Sequence, residues 1–103
     1  MSEKLGICIA TRDHMSHVLG LAKAARAAGK DTEIFLTADG VHLTQDPRFS
    51  ELIEAAGKVW VCEVSYIASG YKGKEVPGLN DKNFSIQARN AEMVDKCDRY
   101  IIM

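Results

Sequence analysis

Apolar and polar positions fall in alternating blocks along this chain, and the blocks read as strands and helices in turn. Lys4-Leu-Gly-Ile-Cys-Ile-Ala-Thr11 is a nearly unbroken apolar run between charges, the pattern of a strand buried on both faces. Val18, Leu21, Ala22, Ala25 and Ala28 then recur at three- and four-residue steps, with Lys23, Arg26 and Lys30 on the opposite face. That spacing predicts a helix, and Gly29 stands where a left-handed residue ends one. Thr32-Glu-Ile-Phe-Leu-Thr37 reads as a second strand, followed by a polar loop from Ala38 to Asp46. Asp46-Pro47 reads as an N-cap with proline at the first helical position, where its missing N–H costs nothing. Phe49, Leu52, Ile53 and Ala56 give this second helix its buried face, and Gly57 stops it.

Lys58-Val-Trp-Val-Cys-Glu-Val64 is a third strand, apolar enough to be central. The stretch from Tyr71 to Asn83 is rich in glycine, lysine and asparagine. Within it Val76-Pro77-Gly78 reads as a turn, and Lys74–Val76 as either a short edge strand or part of a mobile loop. Phe84, Ala88, Ala91 and Val94 predict the buried face of a third helix starting near Ser85, and Arg99-Tyr-Ile-Ile-Met103 a last strand. Strands hydrophobic on both faces and alternating with helices give an α/β fold, a sandwich of helices around a mainly parallel sheet of four or five strands.

Composition narrows the function. The 103 residues are 47% hydrophobic and 26% charged, the balance of one soluble domain over residues 1–103 and not of a disordered tail. Thirteen basic and fourteen acidic side chains leave a charge of -1, which argues against a nucleic-acid or anionic-membrane surface. No apolar run approaches the ~18 residues of a membrane span, and Met1–Lys4 leads straight into a strand without a signal-peptide pattern. The expectation is a cytoplasmic protein. In that reducing compartment the three cysteines, an odd number without C-x-x-C spacing, are free thiols and neither a disulfide framework nor a zinc site.

A parallel sheet places the C-terminal ends of its strands along one edge, where ligands bind. Thr11–His14, Thr37–Asp46 and Cys62–Gly70 all emerge there, whereas Cys97 precedes the last strand and belongs at the opposite edge. Cys62 and Cys97 are therefore too far apart to pair, since a disulfide needs Cα atoms within about 7 Å and a strand is roughly 17 Å long. Cys8, inside the first strand, reads as core packing. Cys62 reads two ways, as a wall residue or as a reactive thiol at the start of a helix. A helix N-terminus favours a thiolate by about 0.3–1 kcal/mol, and one pKa unit takes 1.36, so the dipole alone moves the thiol by less than a unit. A neighbouring cation or hydrogen-bond donors must add to it, and Arg12, His14 and His42 are the candidates.

Rival chemistries are weaker. Ala10–Ser16 holds no glycine and cannot wrap a phosphate in the manner of a flavin or dinucleotide loop, although Thr11 and Ser16 can donate to an anion. Asp13 stands alone where a phosphoacceptor site needs a pair of acids. His14 and His17, at i and i+3, lack a carboxylate or cysteine at a fitting step and read as helix-start histidines, not metal ligands.

The strand Val59-Trp-Val-Cys62, then Cys62-x-x-Ser65 with Gly70 eight positions past the cysteine, resembles the DsrE/DsrF-like family, which includes TusD-type sulfur relay subunits. The alanine-rich first helix, the loop with Gly40-Val-His-Leu, and Pro77-Gly78-Leu79 and Cys97–Met103 extend the resemblance over essentially the whole chain. It implies a flavodoxin-like three-layer fold that assembles into dimers, trimers or hexamers; persulfide relay itself needs no metal or organic cofactor. It further implies that Cys62 accepts sulfane sulfur as a persulfide from one protein and passes it to another. Ser69 stands where the family often has an arginine beside the motif glycine. The expectation is a sulfur carrier with Cys62 as acceptor, Ser65 and Gly70 in its motif, and Arg12, His14 and His42 tuning the thiol or orienting the donor. The competing expectation is a non-catalytic oligomeric protein of the same fold that binds a small anion or nucleotide. Both turn on whether the Cys62 sulfur is reachable and held as an anion.

Overall fold

A computed structural model describes residues 3–103. Five strands, Lys4–Ile9 (β1), Asp31–Leu36 (β2), Lys58–Cys62 (β3), Phe84–Ser85 (β4) and Arg99–Ile102 (β5), form one sheet in the order β4-β3-β2-β1-β5. All four pairings are parallel. The connections carry α1 (Met15–Ala27), α2 (Phe49–Ala55), α3 (Glu63–Ala68) and α4 (Gln87–Lys96), with a 3-10 segment at Ala38–Gln45. This is the α/β, flavodoxin-like three-layer arrangement expected from the sequence, at five strands.

Alternate strand residues point to opposite faces and build two unequal cores. On one face Ile7, Ile9, Ile34, Leu36, Val59 and Val61 pack against Met15, Val18 and Ala22 of α1 and Phe49 and Leu52 of α2. On the other, Cys8, Phe35 and Cys62 meet Met93 of α4, with Trp60, Cys97 and Tyr100 at the margin. The α4 layer is thin: Met93 is the one residue of that helix that is buried.

Local sequence explains most of the boundaries. Gly29 ends α1 at φ 74, with its N–H on Arg26 O (3.0 Å) and the Lys30 N–H on Ala25 O (2.8 Å), the paired bonds of a Schellman motif. Gly40 packs so closely on β1 that a Cβ there would stand 2.0 Å from the Ile9 carbonyl oxygen, so only glycine fits. The Val76–Leu79 turn forms as read, with Gly78 at φ 90 and the Leu79 N–H on Val76 O at 3.0 Å.

Two expectations are corrected, and one open alternative is decided. The second helix starts at Phe49, because Asp46 turns the chain first: its carboxylate accepts the Arg48 N–H at 2.8 Å and pairs with the Arg48 guanidinium at 3.1 Å. No strand forms at Lys74–Val76, where the Tyr66 hydroxyl occupies the Lys74 carbonyl at 2.6 Å; the short edge strand is Phe84–Ser85 instead. Pairing of Phe84 with Val61 and Ser85 with Cys62 also rephases the last helix. Ala88 and Ala91 are exposed and Val94 is 52% exposed, while Arg89, Asn90 and Met93 face the sheet.

Candidate functional site

The C-terminal edge of the sheet gathers Thr11, Thr37 and Cys62, each at or just past the end of a strand. Cys62 is both the last residue of β3 and the N-cap position of α3, with extended backbone (φ -66, ψ 113). That junction turns the chain so that the first N–H groups of α3, which have no helical partner, surround the sulfur. The residue is 3% exposed, so the sulfur lies beneath the surface of the edge.

The hydroxyls of Thr37 and Ser65 act on the sulfur, and an N–H group fills the acceptor side of each. The Ala38 N–H donates to Ser65 Oγ at 3.0 Å, and the Gln87 side-chain amide donates to Thr37 Oγ1 at 2.8 Å. The Thr37 and Ser65 hydroxyls stand 3.4 Å apart, a long contact. With their oxygens engaged as acceptors, both hydroxyl protons are free to turn toward the sulfur. The Gln87 amide also extends to Cys62 Sγ at 3.9 Å. Ala38 holds this arrangement at φ 48, a left-handed conformation unusual for alanine. Strain of that kind costs about 1–2 kcal/mol and is retained where the surroundings fix it.

Two opposed effects act on the thiol. Burial pushes its pKa up, and polar contacts from the Ser65 hydroxyl and N–H, the Thr37 hydroxyl and the Val64 N–H pull it down. The contacts prevail, and the thiol lies below its ordinary value. The side chain makes no closed N-cap hydrogen bond, so the donors act together as converging dipoles and not through one short bond. Neutral hydrogen-bond donors, not a cation, favour the thiolate here.

A family model for DsrE/DsrF-like proteins matches residues 4–102, nearly the whole chain. The chain belongs to the DsrE/DsrF-like family. Among curated proteins none matches it.

In this DsrE/DsrF-like protein the candidates read from sequence divide. Ser65 is brought to Cys62 as described. Arg12 is exposed and His14 half-buried at the start of α1, and neither hydrogen-bonds to Cys62. The ring of His14 lies 5.9 Å from that of His17, and among the described residues no three His, Cys, Asp or Glu side chains cluster to hold a metal ion. His42 turns away to Tyr71: its Nδ1 is 2.6 Å from the Tyr71 hydroxyl, with Asp39 at 4.0 Å from Nε2. The thiol is therefore lowered by the hydroxyl and N–H donors around it and not by Arg12, His14 or His42.

Gly70 shapes the helix and lies away from the sulfur. At φ 91 it ends α3 with a second Schellman pair, Gly70 N–H to Ile67 O (3.0 Å) and Tyr71 N–H to Tyr66 O (3.1 Å). This folds Tyr71 back onto Tyr66, ring centroids 5.2 Å apart, and within reach of His42. Ser69 caps the same end of α3, seven residues or roughly 10 Å along the helix from Cys62.

Sequence reasoning missed Gln87 and gave Thr37 no role beyond starting a loop. A Thr at a strand end on the binding edge was a usable signal; Gln87 carried none, being on a different helix. A groove of about 1020 Å³ opens between α3 and residues 72–81, beside Glu63, Tyr66 and Phe84, and Cys62 is outside its lining. A smaller cavity of about 230 Å³, near Lys58, Trp60 and Asn83, lies at the other end of β3.

Proposed function

We propose that this protein is a sulfur carrier in which Cys62 holds sulfane sulfur as a persulfide between a donor and an acceptor protein. The observation that carries this reading is the set of hydroxyl and N–H donors around Cys62. Membership of the DsrE/DsrF-like family supports it.

In the loading step the Cys62 thiolate attacks the outer sulfur of a donor persulfide. A new S–S bond forms, the donor's S–S bond breaks, and the donor leaves as a thiolate. Unloading repeats the exchange with an acceptor thiolate attacking the outer sulfur and Cys62 leaving. No electron is gained or lost overall. A thiolate of lowered pKa is the better leaving group, so the donors around Cys62 favour delivery most. Val64 at 70%, Ile67 at 43% and Ile86 at 62% exposure flank the site and give a partner an apolar rim to dock on. Arg12, exposed on the same edge, favours anionic donors. The exposed Ile101 and Ile102 of edge strand β5 support assembly with further copies of the chain.

Incubation with a persulfide donor followed by peptide mass spectrometry tests the reading. The expected result is one added sulfur on Cys62, lost in Cys62→Ser. An adduct confined to Cys8 or Cys97, or none, overturns it. The 3% exposure of Cys62 favours a second reading, in which the edge binds a small anion and Cys62 is a wall residue. That reading predicts an unreactive Cys62 together with thermal stabilisation by thiosulfate or phosphate.

A further inference from the structure

We propose that Gln87 is the positioning residue of the Cys62 site, covering the sulfur and turning the Thr37 hydroxyl proton onto it. The inference deepens the sulfur-carrier reading and rests on it for its biological meaning, but its physical content is separable.

Gln87 is the first residue of α4, and its exposed side chain crosses the sheet edge to both groups. Its Nε2 is 2.8 Å from Thr37 Oγ1 and 3.9 Å from Cys62 Sγ. A hydroxyl has one proton to give. Because the amide N–H donates to Thr37 Oγ1, Thr37 is not needed as a donor to Gln87, and its proton is available to the sulfur. Thr37 lies in the chain before α3 and Gln87 after it, so the contact also ties the start of α4 to the end of β2 across the thiol. Displacing this one side chain uncovers the sulfur without disturbing the sheet.

Other groups do not duplicate the role. The titratable side chains on the elements around Cys62 are Lys4 and Cys8 on β1, Asp31 and Glu33 on β2, Lys58 on β3, Asp39 and His42 on the 3-10 segment, Glu63 and Tyr66 on α3, and Arg89, Glu92, Asp95 and Lys96 on α4. Among the described residues, none of these makes a hydrogen bond to the sulfur. Glu33 is held by the Trp60 indole N–H at 2.7 Å, Arg89 by Glu92 at 3.0 Å, and His42 by Tyr71.

Three substitutions separate cover from polarity. Gln87→Met keeps length and cover but removes the amide donor. Gln87→Glu keeps length but accepts the Thr37 proton and adds a negative charge. Gln87→Ala removes both cover and donor. Because Gln87 is exposed, all three variants are expected to fold, which circular dichroism checks. The measurement is the pH profile of iodoacetamide alkylation at each cysteine, read by peptide mass spectrometry.

The expected midpoint for Cys62 rises in Gln87→Met and rises further in Gln87→Glu, whose rate at neutral pH falls about tenfold, one pKa unit. In Gln87→Ala the midpoint rises as in Gln87→Met, but the high-pH plateau climbs because the cover is gone. Cys8 and Cys97 profiles stay fixed. A Cys62 midpoint unchanged in all three variants overturns the inference, even where Cys62 takes up sulfur. Shifted midpoints in a protein whose Cys62 takes up no sulfur uphold it while the carrier reading falls.

Discussion

Cys8 and Cys62 lie in the same layer of the same molecule and are almost equally buried, at 5% and 3% exposure, yet their thiols move in opposite directions. Burial pushes Cys8 up, and polar contacts with the Tyr100–Asn90 pair only partly oppose it. At Cys62 the same opposition comes out the other way. The difference is position along a parallel strand. Cys8 sits within its strand, one residue before its end, paired with Phe35 on one side and Ile102 on the other, where the adjacent backbone N–H groups belong to the sheet ladder. Cys62 ends its strand, where α3 begins and the N–H groups have no other partner. Cys97 makes a third case: burial raises it, and the carboxylate of Glu33 raises it further. Burial alone therefore does not set the character of a thiol in this fold. The supply of uncommitted donors does.

The largest test removes what the two buried thiols share. Met93 is 1% exposed and packs with Cys8, Phe35 and Cys62 as the buried anchor of α4. Met93→Ala leaves a cavity and is expected to cost about 2–5 kcal/mol in urea unfolding. Loosening α4 uncovers both thiols, so alkylation at Cys8 and Cys62 accelerates together. Acceleration at Cys62 alone means that α4 covers only the edge of the sheet and that Cys8 is sealed by the strands around it.

A smaller effect separates them. Ser65→Ala takes away the hydroxyl that faces Cys62 and leaves the Ala38 N–H without its acceptor. The Cys62 alkylation midpoint is expected to rise, with the rate at neutral pH falling about tenfold for one unit. Stability falls by only about 1 kcal/mol, the usual net worth of one hydrogen bond. Ser65 is not among the groups that act on the Cys8 thiol, and the Cys8 profile is expected not to move. A shift at both sites would show that Ser65 acts through packing and not through its proton.

The contrast also explains what the sequence could show. The hydrophobic run placed the thiol near the binding edge, although it read the strand through Val64 and the strand ends at Cys62, where α3 begins. The groups that act on it were not. Thr37 and Gln87 are 50 residues apart and meet only because β2 ends and α4 begins at the same edge. Reading cations into that gap, at Arg12, His14 and His42, was reasonable from residue type alone, but His42 finds Tyr71 first. The phase of α4 was hidden for a related reason. Its inner face is polar, with Arg89 lying 4.1 Å over the Trp60 ring and Asn90 accepting the Tyr100 hydroxyl at 2.6 Å. Its alanines face out, against the usual pattern. A long-range strand pairing, Phe84 with Val61, sets that phase.

The smallest expected effect is on the pH dependence of stability, and its sign distinguishes the two thiols. Between the lowered folded pKa of Cys62 and its higher unfolded value, the unfolded chain binds the extra proton, so stability rises with pH. That contribution is complete above the unfolded value and disappears as pH falls through the folded one. For Cys8 the order is reversed: the folded chain keeps its proton longer, and stability falls as pH rises from the unfolded value through the raised folded one. Each slope is at most about 1.4 kcal/mol per pH unit, the limit for one proton. Urea unfolding of Cys62→Ala and Cys8→Ala across neutral to alkaline pH measures both. Cys62→Ala is expected to lose the rise, and Cys8→Ala to lose part of the alkaline fall, with Cys97, Tyr66 and Tyr100, whose pKa values are also raised, supplying the remainder. If the two variants change the profile in the same direction, the donors around Cys62 do not outweigh its burial, and the two thiols are alike after all.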